Sequence, residues 1–285
     1  MKSPLKWVGG KFYQTNMVIG MFPQHKCYVE VFGGAGHVLF TKTPSPVEVY
    51  NDLNSELVNF FMVARDHTEE LMQRVDTLPY SRELLQKWAN EPLPEDKIER
   101  ACRWFYILCS SFGGIYGSGW AYSVQGNNAV SLRSSTERIK DVKARFNNVM
   151  IENVSYESCI QKYDRVDTLF FIDPPYMGQT SKEFYYNKSH NKIPVFTEQD
   201  HILLAGILNN IKGKAIVSYF PTELLKELYP DSRWNWHYST KTISNSKAIK
   251  ADNSIGSLVR EEVFLTNFTK QSLLFDYFMK GGDEK

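Results

Sequence analysis

The 285-residue sequence predicts an α/β fold: a buried, mostly parallel sheet flanked by helices and interrupted by a mostly helical insert carrying a β-hairpin or loop. Three observations predict it. Strand-like and helix-like patterns alternate from Met1 to Phe61. A fully apolar run, Thr168 to Ile172 (TLFFI), reads as a parallel strand covered on both faces. Between them, Met62 to Asn148 carries helical periodicity almost throughout.

Taken in order, residues 1–61 read as helix, strand, glycine turn, helix, strand and helix. His25 to Phe32 (HKCYVEVF) is a short apolar strand broken by Gly33-Gly34-Ala35-Gly36. Val47 to Tyr50 is a second strand, ending at Asn51-Asp52-Leu53-Asn54, and a helix follows from Ser55. In the insert, Glu69–Val75, Ser81–Trp88 and Asp96–Leu108 have helical spacing, whereas Gly113 to Trp120 is glycine- and aromatic-rich and reads as a β-hairpin or loop. After the TLFFI strand, Thr197 to Ile211 is a helix whose T-x-x-D start resembles a capping box. Lys214 to Phe220 and Glu261 to Phe268 are further strands. The expected division is a discontinuous core, 1–61 with 149–270, an insert at 62–148 and a polar tail at 271–285.

Composition excludes several classes. Hydrophobic residues make up 42% of the chain and charged residues 23%, an ordinary globular balance. Net charge is only +1, so a nucleic-acid surface has to be local. There is no export signal and no run of about 18 apolar residues, which predicts a chain that neither crosses a membrane nor leaves the cell. The four cysteines are scattered, without C-x-x-C, and the histidines show no H-x-x-x-H spacing; neither a disulfide framework nor a metal site is expected.

The chemistry concentrates in Asp173-Pro174-Pro175-Tyr176, immediately after the TLFFI strand, where ligands of open α/β sheets collect. An exocyclic amino group on an aromatic ring is a poor nucleophile, because its lone pair is delocalised. The Asp173 carboxylate and the Pro174 carbonyl suit acceptance of both amino hydrogens, two prolines restrict that backbone, and Tyr176 offers a ring for stacking a flipped base. The alternative is a solvated turn, since Asp and Pro are common there.

A second motif, Phe32-Gly33-Gly34-Ala35-Gly36, lets backbone turn tightly beside a ligand, yet lacks the lysine of a phosphate-binding loop. Asp52, ending the next strand, suits ribose hydroxyls; its alternative is a helix cap, a role Asn54 or Ser55 can take instead. A nucleoside without a phosphate cradle fits S-adenosylmethionine.

Lys6-Trp7-Val8-Gly9-Gly10-Lys11, Val31 to Gly36, Asn51-Asp52-Leu53-Asn54 and Asp173 to Tyr176 together resemble the ordered motifs of the Dam-type adenine-N6 DNA methyltransferases. The similarity extends to Tyr106–Tyr116 and to Glu262–Phe268. The resemblance implies a Rossmann-like class I methyltransferase core with a target-recognition insert. It implies methyl transfer from S-adenosyl-L-methionine to the amino group of a flipped adenine in double-stranded DNA, with catalytic roles for Asp173, Pro174 and Tyr176. Trp7, Lys11, Phe32, Gly34, Gly36, Asp52 and Asp173 would line the cofactor, Lys11 countering its carboxylate. The expected setting is the cytoplasm of a prokaryotic or phage-infected cell, with a cognate restriction endonuclease as an optional partner. The other acceptors kept open are cytosine N4, RNA adenine and a protein glutamine amide; a reading of another kind is an inactive DNA-binding homologue.

Two departures stand out. Relatives carry an acid after glycine in the strand before D-P-P-Y; here Val154-Ser155-Tyr156 stands there, so Ser155 or a backbone group would replace that acid. The insert also lacks the arginine and the F-N-V-P string of GATC readers, so a target other than strict GATC is expected, read through Trp120 and Tyr122. Arg133, Arg138, Lys140, Lys143 and Arg145 form a local basic run suited to phosphates, or a solvated helix face. The polar, aromatic segment Met177–Phe196 is expected to wall the flipped base.

Overall fold

The computed structural model describes residues 1–7, 10–177, 195–249 and 255–269. The strands are β1 (Cys27–Glu30), β2 (Val47–Asn51), β3 (Val149–Glu152), β4 (Thr168–Ile172), β5 (Lys214–Tyr219), β6 (Asn235–Ile249) and β7 (Ile255–Thr266). They form one sheet in the order β3-β2-β1-β4-β5-β7-β6. The first five are parallel to one another, whereas β7 runs antiparallel to both β5 and β6. Chain direction reverses its progress across the sheet between β1 and β4, and the crevice at their carboxyl ends is where such sheets bind ligands.

The buried strands follow from composition. Every residue of β4 is buried, and the apolar TLFFI run leaves no polar face to turn toward water. Neither β3 nor the long β6 is evident from the sequence. The first is a four-residue edge strand, and the second is largely polar, so both depend on a neighbour's ladder for definition.

Helices α1 (Thr15–Gly20), α2 (His37–Thr41) and α3 (Ser55–Asp66) belong to the first half of the core. Then come α4 (Thr68–Asp76), α5 (Arg82–Asn90), α6 (Lys97–Ser110), α7 (Asn128–Glu137) and α8 (Ile139–Phe146), followed by α9 (Tyr156–Tyr163), α10 (Glu198–Leu208) and α11 (Glu223–Leu228). Local capping sets several starts: Ser81 accepts from the Leu84 amide, Asp96 from the Glu99 amide, and Thr197 with Asp200 forms the expected capping box. Among the described residues no helix is long and apolar enough to cross a membrane.

The α4–α8 helices do not surround a core of their own. One buried cluster joins Tyr28, Tyr50 and Phe171 of the sheet to Phe60, Phe105 and Phe146, and α3 runs through position 61. Phe146 of α8 stacks on Phe61 of α3 at 4.8 Å and meets Tyr50 of β2 edge-on at 5.5 Å, which ties these helices to the sheet by aromatic packing. A second cluster, on the opposite face, holds Val31, Ile172, Val217 and Trp234.

The predicted hairpin of the insert is a loop with a minimal ladder. A 3₁₀ turn at Phe112–Gly114 is followed by one antiparallel bridge, Ser111 with Trp120. Gly113, Gly114, Gly117 and Gly119 all have positive φ, which bends the chain too often for paired strands to extend.

Candidate active site

The site is assembled at the carboxyl ends of β1, β2, β4 and β5. After β1 the backbone passes Phe32 and enters the glycine loop. Gly36, with φ 66°, starts α2 in the left-handed region. Gly33 is held against β2: its N–H donates to the Asn51 carbonyl at 2.7 Å, and a Cβ there would lie 2.2 Å from the Tyr50 ring. Position 33 therefore admits only glycine, because Tyr50 occupies the space a side chain would need.

Asp52 straps this loop to β2. Its carboxylate accepts from the Gly34 N–H and from the Asn54 N–H, both at 2.8 Å. Asn54, not Asp52, caps α3, accepting from the Glu56 and Leu57 amides. Burial pushes the Asp52 carboxyl up, and the two amide donors oppose that shift. A carboxylate has about four acceptor positions, so two amides leave capacity for a further donor.

Trp7 lies over the loop, with its indole Nε1 3.1 Å from where a Cβ on Gly34 would be. Phe32 stacks on Tyr156 at 5.8 Å and meets Phe196 edge-on at 5.6 Å, giving an aromatic wall. Ser155 sits beside this wall as the N-cap of α9, where its Oγ accepts from the Ser158 amide.

Lys11 is the link between the two halves of the site. Its ammonium is buried, 2.9 Å from Asp173 Oδ1, and donates to the Tyr176 hydroxyl at 2.5 Å. It also lies 4.7 Å from the Tyr176 ring centroid. Since Lys11 has only hydrogens to give, Tyr176 accepts from it, and its hydroxyl shares a hydrogen bond with Ser218 Oγ, 2.7 Å away on β5. Burial, the Asp173 charge and the Glu262 charge push the Tyr176 phenol well above its ordinary range, so its proton stays. Burial raises the Asp173 carboxyl, Lys11 pulls it back, and Glu262 pushes it up again. The Tyr176 ring is braced edge-on by Phe220 at 4.5 Å.

Ser218, Phe220, Glu262 and His37 were not singled out by sequence reasoning. Ser218 and Phe220 lie within an ordinary strand pattern, and nothing in that pattern marks them as neighbours of Tyr176. His37 opens α2 and is half-buried, and the desolvation depresses its imidazole to about 4, which leaves it neutral near pH 7. Its ring fills the space beside Gly10, where a Cβ would lie 2.7 Å away.

The insert loop reaches this site through the N-terminal segment. Gly114 abuts Lys6, whose carbonyl oxygen would be 2.7 Å from a Cβ there, and the Lys6 ammonium donates to Ser131 Oγ. Trp120 packs on Tyr80 at 4.3 Å, and the Tyr80 hydroxyl donates to the Ala121 carbonyl. Tyr122 is 72% exposed, with the Arg82 guanidinium 6.0 Å from its ring, and Phe112 and Val124 are also exposed.

The basic run reads differently in three dimensions. Arg145 is buried, bound by both outer nitrogens to Glu48 and through Nε to the Leu39 carbonyl, so it offers nothing to phosphate. Arg133 pairs with Asp76 at 2.8 Å, Lys140 with Glu137 at 3.3 Å and Lys143 with Glu69 at 3.9 Å. Arg138, exposed between α7 and α8, makes no ion pair among the described residues. The local positive excess summed along the sequence is thus largely neutralised or buried. Most of the proposed base wall, residues 178–194, lies outside the described residues, as do Val8, Gly9 and the tail at 271–285. Among the described residues no cluster of three or more His, Cys, Asp or Glu is arranged to hold a metal ion.

Comparison with known proteins yields a family match over residues 7–245, to the D12 class N6 adenine-specific DNA methyltransferases. The Type II methyltransferase M1.LlaDCHI of Lactococcus lactis subsp. cremoris is 25% identical over 279 residues, covering 92% of this chain and 94% of its own length. The DNA adenine methylase of Salmonella typhi is 24% identical over 241 residues, covering 79% of this chain and 83% of its own. That of Escherichia coli K12 is 23% identical, with coverages of 85% and 89%.

Proposed function

This chain belongs to the D12 class N6 adenine-specific DNA methyltransferase family, and from that premise we propose that it transfers the methyl group of S-adenosylmethionine to a flipped adenine at the Lys11–Asp173–Tyr176 constellation. Adenine-N6 methylation of DNA, with a methyl donor, is the activity of the family. The donor's identity and the division of labour among residues are our reading.

The residues present fit such a donor. A loop of small residues, a carboxylate with spare acceptor capacity and aromatic faces at Trp7 and Phe32 suit a nucleoside, and no lysine is placed in the loop for phosphate. In this reading Asp52 holds the ribose, Phe32 and Tyr156 flank the adenine, and Trp7 and Gly34 border the methionine end. Ser155 is committed to capping α9, so a backbone group near the end of β3 is the better partner for the cofactor's adenine edge. When bound, S-adenosylmethionine supplies a methyl group on a positively charged sulfur.

The protein's part is to make the target amine a nucleophile. Asp173 and the Pro174 carbonyl accept the two amino hydrogens, which favours a tetrahedral nitrogen with its lone pair localised. Lys11 holds Asp173 in place and offsets part of the cost of burying its charge. Tyr176, braced by Phe220 and tied to Ser218, presents a ring edge or face to the base instead of a mobile side chain. Because acceptance of both hydrogens is fixed before the base arrives, the site is preorganised for the charge that develops on nitrogen. Tyr122, Phe112 and Val124 on the insert loop, with Trp120 behind them, form the surface we assign to reading the target.

The observation that carries this reading is the contact of Lys11 with both Asp173 and Tyr176 beside the glycine loop. Expression in a host without DNA methylation, followed by long-read mapping of modified bases, tests it. N6-methyladenine at a defined site is expected, and N4-methylcytosine or unmodified DNA would overturn it.

A further inference from the structure

Beyond the Lys11–Asp173 pair, the site contains a second acidic group. Glu262 on β7 is 8% exposed, and its Oε2 has no hydrogen-bond partner among the described residues. Its position follows from the sheet. Val263 pairs with Tyr219 and Phe264 with Ser218, so Glu262 lies beyond them, level with Phe220. Side chains alternate along a strand, which puts Glu262 and Phe264 on the face that carries Ser218. The core confirms that parity: Phe264 and Ile216 join the cluster of Tyr28 and Phe171, whereas Val263 and Leu265 join that of Val217 and Tyr219. At the carboxyl end of β5 the Tyr176 hydroxyl is bonded to Ser218, while its ring lies against Phe220 at 4.5 Å and Tyr219 at 5.9 Å. The Glu262 charge is also felt at Asp173 and Tyr176, adding to the effect of burial on each.

An unsatisfied carboxylate oxygen buried beside an ion pair is costly, and the cost falls when a cation enters the same space. The charged side chains facing this space among the described residues are Lys11, Asp173 and Glu262, and Lys11 is already bonded to Asp173. One negative charge is left over. We propose that Glu262 gives the site its preference for a positively charged methyl donor over the uncharged product left after transfer. The inference rests on the reading of S-adenosylmethionine as donor: its sulfonium carries a positive charge, and S-adenosylhomocysteine, a thioether, lacks that charge. Glu262 then helps binding of fresh donor and release of spent product, acting through the field of the site without contacting the target base. It is a positioning residue in the electrostatic sense, distinct from Asp173 and Tyr176.

The test is calorimetric titration of the full chain with S-adenosylmethionine and, separately, S-adenosylhomocysteine. Glu262→Gln keeps the shape and removes the charge. Donor affinity is expected to fall about tenfold and product affinity less than about threefold, the scale of one charge acting across a partly screened site. Glu262→Asp keeps the charge and should keep the preference. Glu262→Met, similar in volume and unable to ionise, carries the same expectation as Glu262→Gln, so misfolding of one variant leaves the test in place. Equal weakening of both ligands, or an unchanged ratio in a folded neutral variant, would overturn the role of Glu262. Failure of the unmodified chain to bind either ligand would instead overturn the donor assignment.

Discussion

The Lys11 ammonium lies 2.9 Å from Asp173 Oδ1 and bonds at the same time to the hydroxyl of Tyr176. This contact joins the N-terminal segment to the turn after β4. It makes the charge state of Asp173 depend on Lys11, since burial alone would favour the neutral acid. Asp173→Ala is expected to abolish methyl transfer and also to lower Tm, because it removes the carboxylate that faces the buried Lys11 ammonium. Lys11→Met should lower turnover by about a hundredfold or more, the usual scale for misplacing a reacting group. Transfer assays on methylation-free DNA, paired with thermal melts, check both; a fully active Asp173→Ala would refute the mechanism.

Cofactor binding and catalysis should separate between Asp52 and Tyr176. Asp52→Ala removes an acceptor and also releases Gly34, so donor affinity should fall by about 1–3 kcal/mol. Tyr176→Phe keeps the ring against Phe220 but loses the bonds to Lys11 and Ser218; turnover should drop while donor affinity stays within about twofold. Titration calorimetry beside single-turnover rates distinguishes the two, and equal loss of affinity in both variants would contradict the assignment.

Arg145 and Arg138 stand in one basic run and should behave oppositely. Arg145→Met strands Glu48, leaving Lys42 as its remaining cationic partner, and should cost about 3–5 kcal/mol of stability. The salt dependence of DNA binding should be unaffected. Arg138→Ala should leave stability nearly unchanged; if Arg138 reaches a phosphate, it lowers the slope of log affinity against log salt by about 1. Denaturant melts and salt-titrated DNA binding measure each. A stable Arg145→Met protein would show that the Glu48 pair is dispensable.

Glu30 predicts a pH effect on stability. It is the buried last residue of β1, accepts from the Tyr28 hydroxyl and the Leu39 amide, and burial raises its carboxyl from 4.5 to about 7. Between those values the unfolded chain releases a proton that the folded protein retains. The contribution of this group to stability is therefore full below about pH 4.5, declines as pH rises and is lost above about pH 7. Glu30→Gln, which keeps a carbonyl acceptor, should flatten that part of the profile. Tm measured from pH 5 to pH 8 in both proteins checks it, and parallel profiles would refute it.

Much of the frame was legible locally. The TLFFI run, the alternation before residue 61, the helical spacing from Ser81 and Asp96, the capping box at Thr197 and the glycine loop all depend on interactions within a few residues, so pattern and backbone stereochemistry suffice. The same holds for Asp52, because Asn54 was available three residues before Leu57 to cap α3. The sequence also placed Asp173 to Tyr176 at a strand end, and the ordered motifs carried the chemistry.

Tertiary structure decided what those residues touch. Glu262 and Ser218 enter the site only because β7 inserts antiparallel beside β5, a pairing that no local pattern encodes. The short β3 and the polar β6 likewise take shape from their partners, and the insert loop fails to extend because its glycines bend it. A sum of charges along Arg133–Arg145 counts every lysine and arginine as exposed. In the folded chain Arg145 turns inward to Glu48, and Arg133, Lys140 and Lys143 meet carboxylates. Propensity and capping act over a few residues and can be read along the chain, whereas burial and charge pairing are properties of segments that meet only on folding.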